Sequence, residues 1–114
     1  MPDWGDVVAI GHRYPGVEEA TWFGTPALKV AGKGMCRLRT DPDALVMRVL
    51  DLSDREALLK GQPDVFFSTR HYDASPYVLV RLDAIDLEQL AELVEDAWRI
   101  RASKRVVAGY DAGA

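Results

Sequence analysis

The run from Thr21 to Leu50, TWFGTPALKVAGKGMCRLRTDPDALVMRVL, constrains the fold more than any other part of the chain. Short apolar segments of strand length alternate there with turn signals, which predicts an antiparallel meander. Gly24-Thr25-Pro26 breaks the chain ahead of a first strand, Ala27 to Ala31. Gly32-Lys33 predicts a two-residue hairpin turn, because glycine supplies the positive φ that such turns demand. The return strand runs from Gly34 to Thr40, and Asp41-Pro42-Asp43 makes the next turn, with proline presetting φ. A third strand, rich in Val, Met and Leu, covers Ala44 to Leu50.

Helical signals bracket this meander. Asp3 suits an N-cap with Asp6 in the first turn, and Trp4, Val7, Val8, Gly11 and Tyr14 form one stripe, predicting a helix over 3–14 that ends at Pro15-Gly16. Ser53-Asp54-Arg55-Glu56 reads as a capping box opening a short helix that stops at Gly61, with Pro63 beyond. Val65 to Thr69 suits a fourth strand, Arg70 to Pro76 a loop, and Tyr77 to Leu82 a fifth strand. Asp86 caps the last helix, with Gln89 three residues on and an apolar face from Leu87 to Ile100. The order is α-β-β-β-α-β-β-α. The reading is an α+β domain, a five-stranded antiparallel sheet with the long C-terminal helix packed on one face. The length of 114 residues suits one domain, residues 1–107, with 108–114 predicted to fray.

Charge is segregated along the chain. The net charge of −4 argues against a nonspecific nucleic-acid coat, yet residues 26–50 are net positive through Lys29, Lys33, Arg37, Arg39 and Arg48. Residues 83–96 hold only acids and residues 99–105 only bases. Side chains alternate across a strand, so parity assigns faces. Leu28 and Val30 oppose Lys29; Cys36 and Leu38 oppose Arg37 and Arg39; Val78, Val80 and Leu82 oppose Tyr77, Leu79 and Arg81. The third strand is ambiguous, with Leu45, Met47 and Val49 opposite Val46, Arg48 and Leu50, which leaves its faces open. With helices over the apolar parity, Lys29, Arg37, Arg39, Arg48 and Arg81 share the uncovered face, and Lys33 sits at the hairpin tip beside them. Such a face suits phosphates. The plainer reading, which is preferred, is a solvated face where cations blunt edge-to-edge aggregation and pair with nearby acids.

Catalytic patterns are lacking in the sequence. The lone cysteine, Cys36, falls mid-strand on the apolar parity and reads as structural. His71 with Asp73 is too few ligands for a metal site, and His12 reads as exposed. Gly32-Lys33-Gly34 has neither the spacer nor the Ser/Thr of a P-loop. Glu92, Glu95 and Asp96 read as a hydrated helix face, open to a basic partner. Trp22-Phe23 reads as core or as an exposed aromatic platform, core being preferred. No apolar run approaches 18 residues and no secretory leader is visible, so with a single cysteine the expected compartment is cytoplasmic.

Trp22-Phe23-Gly24-Thr25-Pro26, Leu28-Lys29-Val30 and Gly32-Lys33, followed by the strand ending in Arg48, the His71-Tyr72 loop and Val78-Leu79-Val80 before Asp83, resemble the MmcQ/YjbR family over roughly residues 3–105. Ser75-Pro76-Tyr77 stands where that family usually has a tryptophan, Arg48 where a lysine is common and Ala97 where a serine is frequent. The resemblance implies three helices around a five-stranded antiparallel sheet, similar to secretion-chaperone-like domains, and a DNA-binding role without agreed catalytic residues. The expected function is therefore a non-enzymatic module needing no cofactor or metal. It would contact DNA phosphates through Lys29, Lys33, Arg37, Arg39, Arg48 and Arg81. The alternative is a chaperone-like or protein-interaction module that meets an acidic partner or a second copy of itself.

Overall fold

A computed structural model describes residues 1–39 and 44–113. Six strands form one antiparallel sheet: β1 (Val17–Trp22), β2 (Thr25–Val30), β3 (Lys33–Arg39), β4 (Ala44–Arg48), β5 (Phe66–Phe67) and β6 (Tyr77–Val80), ordered β1-β2-β3-β4-β6-β5. The helices are α1 (Trp4–Gly11), α2 (Leu52–Gly61), α3 (Leu87–Arg101) and α4 (Lys104–Gly113), and a 3-10 turn spans Arg70–Tyr72. The α+β class and antiparallel sheet match the sequence reading, but the sheet has six strands rather than five. The additional strand is β1, whose sequence VEEATW places two glutamates and an alanine among the β-formers Val17, Thr21 and Trp22. It is an edge strand, where charge is tolerated because one side faces solvent and discourages pairing with another chain.

Several boundaries move for local reasons. Asp3 caps α1 as expected, in a reciprocal capping box with Asp6, but the helix stops at Gly11 and Tyr14 lies beyond it. The β2–β3 turn comes one residue early: Ala31 and Gly32 take φ of 52° and 75°, and Val30 pairs with Lys33. The register of the pair also shifts by one residue between Leu28 and Lys29. The N-cap of α2 is Asp51, which accepts from the Asp54 amide at 2.9 Å, so the Ser53–Glu56 capping box does not form. The predicted Asp41-Pro42-Asp43 turn lies outside the described residues. Residues 108–113, read as a frayed tail, belong to α4, which Ser103 caps by accepting from the Val106 amide at 3.2 Å. Arg99 clamps α4 through Asp111 at 2.9 Å.

One face of the sheet is covered by α1 and α3. Leu90, Leu93, Val94, Ala97 and Trp98, the inner stripe of α3, meet Leu28, Cys36, Leu45, Met47, Val78 and Val80 in the main core. Trp98 is fully buried, donates its indole N–H to the Pro15 carbonyl at 2.9 Å, and packs against Tyr14 and Tyr110 with centroids 5.1 Å away in each case. Cys36 is buried there, and loss of solvation pushes its thiol up to about 12. The two parities of β4 are both buried, because a central strand is covered on both sides: Leu45 and Met47 face the helices, Ala44 and Val46 the other way.

Candidate nucleic-acid interface

The second face of the sheet is neither bare nor uniformly basic. Ala44, Val46, Tyr72 and Leu79 form a smaller buried cluster there, flanked by Phe67 and Tyr77. Two segments roof it. The 3-10 turn delivers Tyr72, and the β1–β2 turn brings in Trp22 and Phe23. The Trp22 ring lies directly on Gly34: a Cβ at that position would come within 2.5 Å of the indole, so only glycine permits the contact. Trp22 also meets Tyr77 edge-on at 5.7 Å and stacks on Phe23 at 5.8 Å.

Arg37 lies at the centre of this face, between Ala27 of β2 and Val46 of β4. Its guanidinium donates to the Tyr72 hydroxyl at 2.5 Å and to the Thr25 hydroxyl at 3.3 Å, and sits 5.3 Å from the Phe23 ring centroid. Arg37 Nε is buried without an acceptor among the described residues, which costs stability. Thus Arg37 is half-buried and built into the roof, not free on an open surface. Arg39, two residues on with the same parity, is also half-buried.

The other four cations spread outward. Lys29 is half-buried and stands opposite Glu18 of β1, an acid that offsets part of its charge. Lys33 is exposed at the β2–β3 hairpin. Arg48 donates Nε–H to the Val49 carbonyl at 2.8 Å and lies 5.8 Å from the Tyr77 centroid. Arg81 covers Phe67 at 4.3 Å and donates to the Pro63 carbonyl at 3.2 Å. None of the six forms an ion pair among the described residues. Instead, three of them sit over aromatic rings: Arg37 with Phe23, Arg48 with Tyr77 and Arg81 with Phe67. Parity supplies this face from the sequence; the aromatic interleaving has no local signal, because Phe23 and Tyr72 arrive from turns.

Sequence reasoning also missed Arg55. It is buried, donating to the Tyr77 carbonyl at 3.0 Å, to Glu56 at 2.8 Å and to the Ser68 hydroxyl, with Asp73 at 3.5 Å. It ties α2 to the loop that carries Tyr72. His71 is exposed and turns its ring edge to Tyr72 at 4.8 Å, while exposed His12 is 3.4 Å from Glu19.

Arg48 also lines a groove of about 430 Å³ beside α2 and α3, which has Leu58, Leu93 and Ile100 among its lining residues and Asp54, Asp96 and Arg99 as its other charges. Partial loss of solvation, aided by neighbouring Glu95, raises the carboxyl of the exposed Asp96 above the ordinary range. No helix of the described residues is long and apolar enough to cross a membrane.

A family model described as YjbR matches residues 12–100. The chain is 35% identical, over 96% of both sequences, to the uncharacterized protein Mb2600 of Mycobacterium bovis, and equally to the uncharacterized protein Rv2570 of Mycobacterium tuberculosis. Its fold is similar to the crystal structure of the Deinococcus radiodurans protein DR2400, a DUF419 domain, with a TM-score of 0.71 and 23% identity over 86% of this chain and 77% of that one.

Proposed function

This chain belongs to the YjbR family, and from that premise we propose that it is a non-enzymatic module binding DNA through the second face of its sheet. The observation that carries the reading is the set of six cations on and around that face, none of them ion-paired among the described residues. Guanidinium and ammonium groups without carboxylate partners are available to phosphate oxygens, and counterion release then drives association. Lys33 and Arg39 are the best phosphate contacts, since neither hydrogen-bonds within the protein among the described residues. Arg37 instead shapes the surface, because its donors are already engaged by Tyr72 and Thr25.

The test is fluorescence anisotropy of labelled random-sequence DNA, single-stranded and duplex, at low and moderate salt. Binding should weaken steeply with salt and show little sequence preference. Lys33→Glu/Arg39→Glu should lower affinity and reduce the salt slope by about two, one for each lost phosphate contact. Absence of binding to either form at low salt would overturn the reading.

A second reading, a protein-interaction module, is favoured by the groove beside α2 and α3 together with exposed Leu50 and Leu52. Sedimentation velocity in low salt tests its self-association form, and a species that stays monomeric at high concentration sinks that form.

A further inference from the structure

Two tight turns in this sheet have the same geometry and opposite contents. In both, two consecutive residues take positive φ: Ala31 and Gly32 at 52° and 75°, Phe23 and Gly24 at 53° and 74°. Such turns favour Asn, Asp or Gly at the first position, where a bulky side chain is strained. Ala31 keeps that strain small. Phe23 does not, and its side chain gains little burial in return, since the residue is 73% exposed. The folded chain therefore maintains an aromatic ring at a position where both backbone conformation and hydrophobicity argue against one. Strain of this kind persists where the surroundings over-determine it, and it concentrates at binding sites. Here they do: Trp22 stacks beneath the ring at an interplanar angle of 24°, and Arg37 fixes it from the sheet.

We propose that Phe23 is a base-stacking platform and that the interface takes single-stranded nucleic acid in preference to duplex. This inference rests on the DNA-binding reading above and names its substrate form. A ring that stays 73% exposed while Trp22 and Arg37 contact it offers surface to an unpaired base, which stacks regardless of sequence. Within a duplex those faces are already stacked on neighbours, so only phosphates are available and the ring contributes nothing. The strand's backbone would then run past Arg39 and Lys33.

The distinguishing variant is Phe23→Asn, because asparagine relieves the positive-φ strain while removing the ring. Its two effects have opposite signs. Thermal unfolding should move up by a few degrees, and affinity for a short random-sequence strand should fall about tenfold, with duplex affinity unchanged. Phe23→Leu keeps the strain and the apolar character but not the π face, and should lose strand affinity without the gain in melting temperature. The parent should bind the strand about tenfold more tightly than the duplex at equal salt. Equal binding of strand and duplex, or Phe23→Asn binding the strand like the parent, would overturn the platform while leaving the DNA-binding reading intact. Loss of all binding in the parent would overturn both.

Discussion

The two faces of the sheet solve the same problem by different physics. On the helix-covered face, aliphatic side chains and Trp98 fill a continuous core, and stability comes from apolar area removed from water. On the other face a small cluster of Ala44, Val46, Tyr72 and Leu79 is packed, and the cover is a hydrogen-bonded arginine under aromatic rings from two turns. The first arrangement is strong and non-specific in its chemistry. The second is weaker, geometrically exacting, and leaves a ring and several cations at the surface. A face built this way is expensive as structure and useful as a recognition surface, which is why the functional reading falls on it.

Substitutions that separate the faces should scale accordingly. The largest effect is expected from Trp98→Ala, which empties the main core and orphans the Pro15 carbonyl. It should cost about 3–5 kcal/mol, read as a large drop in the urea midpoint. Arg55→Ala strikes the support of the second face: the Tyr77 carbonyl loses its Arg55 donor and the Tyr72 loop loses its tether. A cost of about 2–3 kcal/mol is expected by urea unfolding, and Arg55→Lys should not restore it, since one ammonium cannot reproduce the fork of contacts. Gly34→Ala touches only the Trp22 roof. A Cβ 2.5 Å from the indole must displace it, costing about 1–2 kcal/mol with a red-shifted tryptophan emission. If Gly34→Ala instead proved as damaging as Trp98→Ala, the two faces would be equally important to folding, and the contrast would fail.

The smallest effect is a pH dependence on the helix-covered face. Burial raises the Cys36 thiol from 9.0 to about 12, so the unfolded chain releases that proton at lower pH than the folded one. Its contribution to stability is full below the unfolded value and is lost as pH rises toward the folded value. Cys36→Ala should cost about 1 kcal/mol near neutrality through lost packing, and in paired urea titrations the gap to the parent should shrink and then reverse as pH rises from about 9 toward about 12. A gap that holds constant would place the thiol in solvent.

Much of the fold was legible before the structure. The strands from Ala27 onward, the caps at Asp3 and Asp86 and the stripe of α3 follow from local periodicity and local hydrogen bonding, which sequence neighbours decide. What escaped was non-local. β1 is a strand because β2 offers it a partner, despite two glutamates. α4 is held by Tyr110 against Tyr14 and Trp98, far upstream of it and on its neighbour helix. Asp51 displaced the capping box at Ser53 because the chain enters α2 two residues earlier than its best-looking signal.

The candidate site divides the same way. Alternation by itself set Lys29, Arg37, Arg39 and Arg81 against the apolar parity, because a strand's side chains have no choice of face once the apolar set is buried, but it left the face of Arg48 open. Only the tertiary structure decided what lies above them. Whether Trp22-Phe23 joins the core or stands at the surface depends on how a hairpin curls over Gly34 and on which ring Arg37 meets, and those contacts join residues that are distant in sequence. The preference for core fails at Phe23 for that reason: hydrophobicity expresses an average tendency to be buried, while the φ of a two-residue turn fixes where one particular ring must point.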